Sequence, residues 1–276
     1  MSIRALLKRA AEALATAGVP DPQVDAALLL GHVMALSRLQ VLLSGDKEPS
    51  PDQRQAFDRL LARRLTREPL QYILGSAHFM GHEFLVRPGV LIPRADTEPL
   101  AQQALARLRP GHRALDLCTG TGAIAISLKL GCPEADVTAS DLSPDALALA
   151  RDNAARLKAD IDLVQGDLLA PFAGQRFDLI ACNPPYIPSL ELDSLQEEVK
   201  REPRLALDGG ADGLDLYRRL IAQAPQHLKP GGWLLLEMGD GQQQALEALI
   251  RLDFTSAQVY TDAGGLPRVL AACLSD

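Results

Sequence analysis

The sequence predicts an α/β protein: an N-terminal helical bundle followed by a larger domain with a seven-stranded, mostly parallel sheet. Apolar residues recur at helical spacing through residues 3–74. From Arg113 onward, short apolar runs alternate with amphipathic helical segments, a pattern typical of parallel strands joined by crossover helices. The two runs in residues 256–274 flank a Gly-Gly turn and indicate an antiparallel hairpin at one edge of the sheet.

The first predicted domain, residues 1–75, consists of four or five helices. Its helical pattern breaks at Gly18-Val19-Pro20 and again at SGDKEPSP, where Ser50 is expected to cap a helix that starts at Pro51. Residues 76–98 are predicted to form a connector, with a short hairpin and then an ordered loop leading into a helix near Thr97.

The third predicted region, residues 99–276, carries the sheet. Its apolar runs are ALDLC, DVTASD, IDLVQGD, FDLIACN and GWLLLEM. Helices are predicted in TGAIAISLKL, PDALALARDNAARL, GLDLYRRLIAQAPQHL and GQQQALEALIRL. Each crossover helix must bury an apolar stripe against the sheet, so helices are expected on both faces.

The composition excludes several classes of protein. The chain has 276 residues, of which 47% are hydrophobic, but it has no run of eighteen uncharged apolar residues that would make a membrane helix. Its first residues carry charges where a signal peptide would be apolar, so a cytoplasmic protein is expected. The cysteines are widely spaced, which predicts neither disulfides nor a metal site; they are Cys118, Cys132, Cys182 and Cys273.

The charge is uneven along the chain. Residues 1–75 hold 10 Lys/Arg against 8 Asp/Glu, which leaves 18 against 27 in residues 76–276. An acidic region of this size repels the phosphate backbone of a nucleic acid, so no direct DNA binding is expected. A protein or small-molecule partner fits this charge better.

The stretch ALDLCTGTGAIAISL predicts a strand, a glycine turn and a helix, an arrangement that lets backbone approach a ligand closely. Gly120 and Gly122 do not fit the dinucleotide pattern GxGxxG, and no P-loop lysine follows them. Asp141 ends the next strand, where it could bind ribose hydroxyls, and Asp167 ends the third, near the expected adenine. Alternatively, Asp141 or Ser143 could cap the following helix. Together these strand ends predict a site for a nucleoside-bearing cofactor.

The tetrapeptide NPPY, Asn183 to Tyr186, follows the strand FDLIAC. Two prolines fix the backbone and remove two N–H donors, so the direction of the neighbouring carbonyl is set in advance. Alone, the motif could be only a rigid turn. Next to a predicted cofactor site, it is interpreted as the substrate site, and EPRLALDGGADGL as a loop that covers it.

With these residues in view, the C-terminal domain resembles the class I (Rossmann-like) S-adenosylmethionine-dependent methyltransferases. NPPY is similar to the signature of amino and amide N-methyltransferases. Four motifs together resemble the HemK/PrmC family of release-factor glutamine methyltransferases; they are EPLQYILGSAHFMGHEFLVRPGVLIPRADTE, DLCTGTGAIAISL, NPPYIP and ALDGGADGLDLYRRL.

This resemblance implies transfer of a methyl group from S-adenosyl-L-methionine to N5 of the glutamine in the GGQ motif of class I peptide-chain release factors. The reaction yields S-adenosyl-L-homocysteine and modulates translation termination. The protein would act as a monomer without a metal, and residues 1–75 would dock the protein substrate. Asn183 and Pro184 would be catalytic, with Pro185 and Tyr186 completing the substrate site. The implied cofactor residues are Cys118, Thr119, Gly120, Thr121, Gly122, Asp141, Asp167, Leu168 and Asn183.

Three alternatives remain open at this point. A related enzyme of the family would modify a glutamine of a ribosomal protein. A DNA adenine N6-methyltransferase would use a similar tetrapeptide, because an exocyclic NH2 group poses the same chemical problem, but the acidic charge of residues 76–276 tells against it. An adaptor could bind cofactor or partner without turnover.

Overall fold

The computed structural model describes residues 1–250 and 254–275. The chain divides into two compact units, one comprising residues 1–75 with 196–201 and the other residues 76–195 with 202–276. The division of the sequence at residues 75/76 and 98/99 stays a prediction. Arg251 and Leu252, the end of the predicted helix GQQQALEALIRL, lie outside the described residues.

The first unit, called the helical unit below, has a core of apolar side chains from several helices, among them Leu14, Leu30 and Phe57. Ser50 caps the fourth helix as predicted: its hydroxyl accepts from the Gln53 backbone N–H, and the Gln53 side chain accepts from the Ser50 N–H. The helices are α1 (Ile3–Thr16), α2 (Pro22–Met34), α3 (Arg38–Leu43), α4 (Pro51–Leu65) and α5 (Leu70–Leu74).

A buried charge cluster holds residues 196–201 within the helical unit. The guanidinium of Arg64, 3% exposed, donates to Asp25 over 2.7 Å and to Glu198 over 2.7 Å. Arg67 donates to both carboxylate oxygens of Glu198, at 2.7 and 2.5 Å. A buried charge is tolerated only when it is paired in this way. Removal of any one of these side chains would therefore leave a buried charge without one of its partners.

The Glu198 carboxylate should make the stability of the helical unit depend on pH. Burial by itself would raise its pKa, but the hydrogen bonds from Arg67 and Arg64 outweigh burial and lower the pKa to about 2. The stabilisation is therefore complete above the ordinary pKa of 4.5 and is lost as the pH falls towards 2. We expect Glu198→Gln to lower the free energy of unfolding by about 1–3 kcal/mol at pH 7, with a smaller loss at pH 3.

Urea unfolding of the full chain, followed by circular dichroism at pH 7, 4 and 3, measures this loss. Glu197→Gln is the matched control, because Glu197 is an exposed neighbour paired only with Lys200 among the described side chains, and it should cost less than about 0.5 kcal/mol. A loss at Glu198 that does not change with pH would contradict the prediction.

The second unit, called the sheet unit below, begins with the predicted hairpin, β1 (Ser76–Phe79) and β2 (His82–Leu85), paired antiparallel. Asn153 fixes this hairpin, because its carboxamide accepts from the Leu85 N–H at 2.7 Å and donates to the Leu85 carbonyl at 3.1 Å. A short 3₁₀ helix, Ala95–Thr97, then leads into α6 (Glu98–Arg107), which begins where the sequence predicts a helix.

The central sheet has seven strands in the order β5-β4-β3-β6-β7-β9-β8. Pairing is parallel from β5 to β7, and β9 pairs antiparallel with both β7 and β8. The predicted fold class is thus confirmed. The strands are β3 (Arg113–Leu117), β4 (Asp136–Asp141), β5 (Asp162–Gln165), β6 (Phe177–Cys182), β7 (Leu228–Glu237), β8 (Phe254–Thr261) and β9 (Pro267–Leu274).

Strand β7 differs from its prediction. It begins at Leu228, before the apolar run GWLLLEM, because Leu228 already pairs with Phe177. The register then shifts, and Trp233 pairs with Leu179. The intervening Lys-Pro-Gly-Gly residues thus form an irregularity inside the strand, where the sequence suggests a break.

Helices cover both faces of the sheet and bury two separate apolar clusters. One contains Leu100 and Ile126, and the other contains Tyr217 and Leu246. Within the described residues, none of the helices is long and apolar enough to cross a membrane. The remaining helices are α7 (Ala123–Gly131), α8 (Pro144–Leu157), α9 (Asp215–His227) and α10 (Gln243–Ile250).

The strand order reverses beside β3. The chain proceeds from β3 outward to β4 and β5, then returns to place β6 on the other side of β3. In open parallel sheets, such a reversal leaves a crevice at the carboxyl ends of the two strands, where ligands bind. The glycine turn follows β3 and NPPY follows β6, so both predicted motifs flank this crevice.

Candidate active site

A pocket opens at the carboxyl ends of β3 to β6. Its walls come from the glycine turn, from the ends of β4 and β5, and from the start of the NPPY corner. Two further segments close it, residues 89–94 before α6 and residues 203–206. The predicted site residues that line it are Cys118, Thr119, Gly120, Thr121, Asp141, Asp167, Leu168, Asn183 and Pro185.

Asp116, at the end of β3, anchors the glycine turn. Its side chain is fully buried; Oδ2 accepts from the Thr119 hydroxyl at 2.5 Å and from the Ala125 N–H at 3.1 Å. Burial raises its pKa to about 7 against these hydrogen bonds. Cys118 has a φ of 57°, a left-handed conformation that is uncommon outside glycine. The Asp116 bonds therefore hold a turn whose backbone is strained.

Asp141 connects the glycine turn with the end of β4. Its Oδ2 accepts from the Gly120 N–H at 2.9 Å and its Oδ1 accepts from the Ser143 N–H at 2.8 Å. Ser143, rather than Asp141, caps α8, because the Ser143 hydroxyl accepts from the Ala146 N–H at 3.3 Å. Burial raises the pKa of Asp141 despite these bonds. The carboxylate is thus positioned at the pocket, as the ligand interpretation requires.

Gly122 lies behind the pocket wall, at the start of α7. Its φ is 80°, and a Cβ there would lie 3.0 Å from Ile126 Cδ1 and 3.1 Å from Ala150 Cβ. We expect Gly122→Ala to lower the free energy of unfolding by about 2–4 kcal/mol, because backbone strain and overpacking add. Equilibrium urea unfolding measures the loss.

Gly111→Ala is the matched control for Gly122. Its φ is 76°, but no described atom lies within 4 Å of its Cβ position. It should therefore show only the conformational cost of about 1–2 kcal/mol. Equal losses at the two positions would show that the close contacts of Gly122 are unimportant.

The two residues after β5 differ in environment. Asp167 is about half-exposed and pairs with Arg219 over 2.6 Å. Leu168 is buried and has a φ of 48°. Both line the pocket, so one side of it combines a carboxylate with an apolar surface.

The NPPY corner is rigid and anchored on several sides. Pro184 and Pro185 are buried, and the Asn183 side-chain NH2 donates to the Thr97 hydroxyl at 3.2 Å. Tyr186 donates through its hydroxyl to Glu237 at 3.4 Å, and its carbonyl accepts from Gln242 at 3.0 Å. Of the four NPPY residues, Asn183 and Pro185 are among the described residues that line the pocket, whereas Pro184 and Tyr186 are not.

The glycine-rich loop after residue 206 packs directly on this corner. A Cβ at Gly213 would lie 2.2 Å from the Tyr186 carbonyl oxygen, and one at Gly209 would lie 2.8 Å from Tyr186 Cα. The Ile187 N–H donates to the Leu207 carbonyl, and the Gly209 N–H donates back to the Ile187 carbonyl, both at 2.9 Å. Only glycine permits this approach. The preceding residues Pro203, Leu205 and Ala206 line the pocket.

Sequence reasoning missed several residues around the site. Glu202, almost fully buried, accepts from the Ile92 N–H at 2.9 Å and pairs with Arg94, joining the two segments that close the pocket. Thr97, which lines the pocket, contacts Asn183 of the NPPY corner, and Glu237 contacts Tyr186. A lone glutamate ending the apolar strand GWLLLE was a signal that could have pointed to Glu237. In the described part of the chain, no cluster of three or more His, Cys, Asp or Glu is placed to hold a metal ion.

Solved structures of methyltransferases share the fold of this chain. The chain matches the crystal structure of a methyltransferase from Pyrococcus furiosus with a TM-score of 0.56 at 19% identity, covering 79% of this chain and 100% of that one. It also matches a Thermus thermophilus 16S rRNA N2 G1207 methyltransferase in complex with AdoMet and guanosine, with a TM-score of 0.53 at 21% identity, covering 73% of this chain and 50% of that one. These likenesses establish the fold.

The chain belongs to the family of release factor glutamine methyltransferases. It is 43% identical to the release factor glutamine methyltransferase of Geobacter sulfurreducens, over 98% of this chain and 95% of that protein. It is 44% identical to that of Deinococcus radiodurans, over 99% and 98%. Residues 5–75 match the PrmC N-terminal domain, and residues 96–208 match the methyltransferase small domain. The HemK/PrmC resemblance is thereby confirmed.

Proposed function

We propose that this protein transfers a methyl group from S-adenosyl-L-methionine to the side-chain amide nitrogen, N5, of the glutamine in the GGQ motif of class I release factors. One observation carries the proposal: the rigid NPPY corner lies at the edge of the pocket that the glycine turn, Asp141 and Asp167 also line. The names of the family members, each a release factor glutamine methyltransferase, support the choice of substrate.

The residues of the pocket fit the proposed cofactor. Asp141, Asp167 and Leu168 all line the pocket. Asp141 would bind the ribose hydroxyls, while Asp167 and Leu168 would provide a polar edge and an apolar surface for the adenine. The glycine turn allows close approach: among the described residues, the one atom within 4 Å of a Cβ position at Gly120 belongs to Val90, at 3.9 Å. When bound, S-adenosylmethionine supplies an electrophilic methyl group on a sulfonium.

The protein must make a poor nucleophile react. The lone pair of a carboxamide nitrogen is delocalised into its carbonyl group, so it must be localised and aligned. Asn183 Oδ1 and the Pro184 carbonyl would each accept one N–H of the substrate NH2 group. Among the described residues, neither oxygen accepts another hydrogen bond. Two fixed acceptors also stabilise the positive charge that develops on the nitrogen.

Proton loss follows methyl transfer. The amide N–H becomes acidic only once the nitrogen carries the new methyl group, so no base has to act beforehand. The proton then leaves to water past the two acceptors. The role of the corner is thus geometric and electrostatic.

The helical unit is proposed to dock the protein substrate. Leu39 and Leu43 on α3 are 65% and 78% exposed, an unusual degree for leucine. A contact with a folded partner would bury them. Replacing both by glutamate should raise KM for a full-length release factor several-fold and leave kcat unchanged; an unchanged KM would remove this surface from the docking role.

Substrate choice is tested by offering alternatives. The protein is incubated with labelled S-adenosylmethionine and a purified class I release factor, ribosomal proteins or DNA, and the label is mapped by mass spectrometry. We expect it on the GGQ glutamine alone, and a release factor with that glutamine replaced by alanine should stay unlabelled. Label on a ribosomal protein or on DNA, or no label at all, would overturn the assignment.

A further inference from the structure

The hydroxyl of Thr97 connects the substrate corner with a buried carboxylate. Thr97 is 6% exposed and accepts from the Asn183 NH2 group at 3.2 Å. It stands at the N-cap of α6, yet its side chain makes no capping hydrogen bond. An N-cap threonine ordinarily accepts from its own helix, so this hydroxyl is turned away from helix capping and towards Asn183.

Glu237 is a buried carboxylate at the end of β7. It is 2% exposed, and Oε2 has no hydrogen-bond partner in the described part of the chain. Its Oε1 accepts from the Tyr186 hydroxyl at 3.4 Å, and its backbone carbonyl accepts from the Tyr217 hydroxyl at 2.6 Å. The Thr97 hydroxyl favours the charged form of Glu237 and so opposes the rise of the Glu237 pKa on burial. One carboxylate therefore supports both Asn183, through Thr97, and Tyr186.

The hydrogen bonds of this arrangement can run in one direction, from the Asn183 NH2 group to Thr97 and from the Thr97 hydroxyl to Glu237. A threonine hydroxyl has one hydrogen to donate, and an ionised carboxylate can only accept. If the hydrogen of Thr97 points to Glu237, only the oxygen lone pairs of Thr97 face Asn183. Asn183 must then turn its NH2 group to Thr97, which leaves Oδ1 free for the substrate. With the opposite carboxamide orientation, an N–H donor would face the substrate NH2 group.

We propose that Thr97 and Glu237 are positioning residues that set the orientation of the Asn183 carboxamide, so that its oxygen faces the substrate amide. The inference rests on the proposed function for the role of that oxygen, although the orientation itself is a property of the free protein. Thr97→Val keeps the shape of the side chain but removes the acceptor, whereas Thr97→Ser retains it.

The direction depends on the protonation state of Glu237. Burial, together with the negative charge of Asp96, raises the pKa of Glu237 to about 7. Thr97, Arg268 and the Tyr186 hydroxyl act in the opposite direction and lower this pKa. Arg268 is itself paired with Asp262 at 2.8 Å. Above pH 7 the carboxylate accepts and the orientation holds. Below it, protonated Glu237 can donate to Thr97 and the preference is lost, so kcat/KM should fall with falling pH.

The experiment compares Thr97→Val, Thr97→Ser and Glu237→Gln in the full-length protein. With S-adenosylmethionine and a class I release factor, Thr97→Val should lower kcat about 10–100-fold with KM within about threefold of wild type, and Thr97→Ser should recover most of it. Glu237→Gln cannot ionise at this position, so the fall of kcat/KM with falling pH that Glu237 causes should be absent. Thr66→Val, which removes a hydroxyl bonded to the Arg63 carbonyl in the helical unit, should leave kcat unchanged.

A second measurement needs no turnover. In the free protein, NMR should show slow solvent exchange of the Asn183 side-chain NH2, and Thr97→Val should accelerate it. The inference is overturned if Thr97→Val has the wild-type kcat or leaves the NH2 exchange rate unchanged. It is also overturned if the kcat of Thr97→Ser is as low as that of Thr97→Val. Absence of turnover in the wild type would instead sink the proposed function, and the exchange result would still decide the orientation.

Discussion

Replacing Asn183 by alanine is expected to lower kcat by about 10²–10³-fold, because the variant loses one of two fixed acceptors for the amide nitrogen. Affinity for S-adenosylmethionine should stay within about fivefold of wild type, since the Asp141 and glycine-turn contacts are untouched. Single-turnover assays with a class I release factor and calorimetry with the cofactor measure the two effects. The main expected result is that kcat falls strongly while the affinity for S-adenosylmethionine hardly changes.

Asn183→Asp is the informative companion. Aspartate keeps the shape and the acceptor oxygen, but a second oxygen replaces the NH2 group, so it cannot donate to Thr97 and it brings a negative charge to the corner. We expect the kcat of Asn183→Asp to be close to that of Asn183→Ala at neutral pH, because a second carboxylate beside the corner repels the charge of the buried Glu237. Wild-type-like turnover by Asn183→Ala would exclude Asn183 as the acceptor.

The second large effect is expected at Asp141. Asp141→Asn should weaken S-adenosylmethionine binding by about 10–100-fold, or about 1.4–2.8 kcal/mol. An asparagine has one acceptor oxygen, whereas the Asp141 carboxylate already accepts from the Gly120 and Ser143 N–H groups, at 2.9 and 2.8 Å. The new NH2 group would oppose one of these donors or the ribose hydroxyls. Isothermal calorimetry measures the affinity.

Asp167→Asn provides the matched comparison. Asp167 also lines the pocket, but its side chain is half-exposed and pairs with Arg219. Water can replace an exposed interaction, so the loss of affinity should be less than about tenfold. Equal losses at the two positions would show that the buried contacts of Asp141 contribute nothing specific to cofactor binding.

Much of the fold follows from local patterns in the sequence. The predicted run DVTASD is strand β4 residue for residue, and the NPPY motif follows β6 as expected. Capping by Ser50 was predicted from its position before Pro51. Local patterns fail where a strand continues through breaker residues, as β7 does from Leu228, because pairing with Phe177 outweighs the local preference.

Contacts between residues that are distant in the sequence also limited the prediction of the candidate site. Gly120, Asp141 and Asn183 could be predicted as site residues because each lies at or just after the end of a recognisable strand. Thr97 and Glu237 could not be connected with Asn183, since they lie 86 residues before it and at the far end of another strand. No spacing in the sequence encodes their meeting.

The sequence by itself determined the fold class, the order of the strands along the chain, and the residue types at the strand ends. These depend on apolar periodicity and turn chemistry, which act over a few neighbouring residues. The tertiary structure decided that Ser143 rather than Asp141 caps α8, and that a buried carboxylate stands behind NPPY. Hydrogen-bond direction and burial depend on groups distant in the chain, so they exist only once the sheet has assembled.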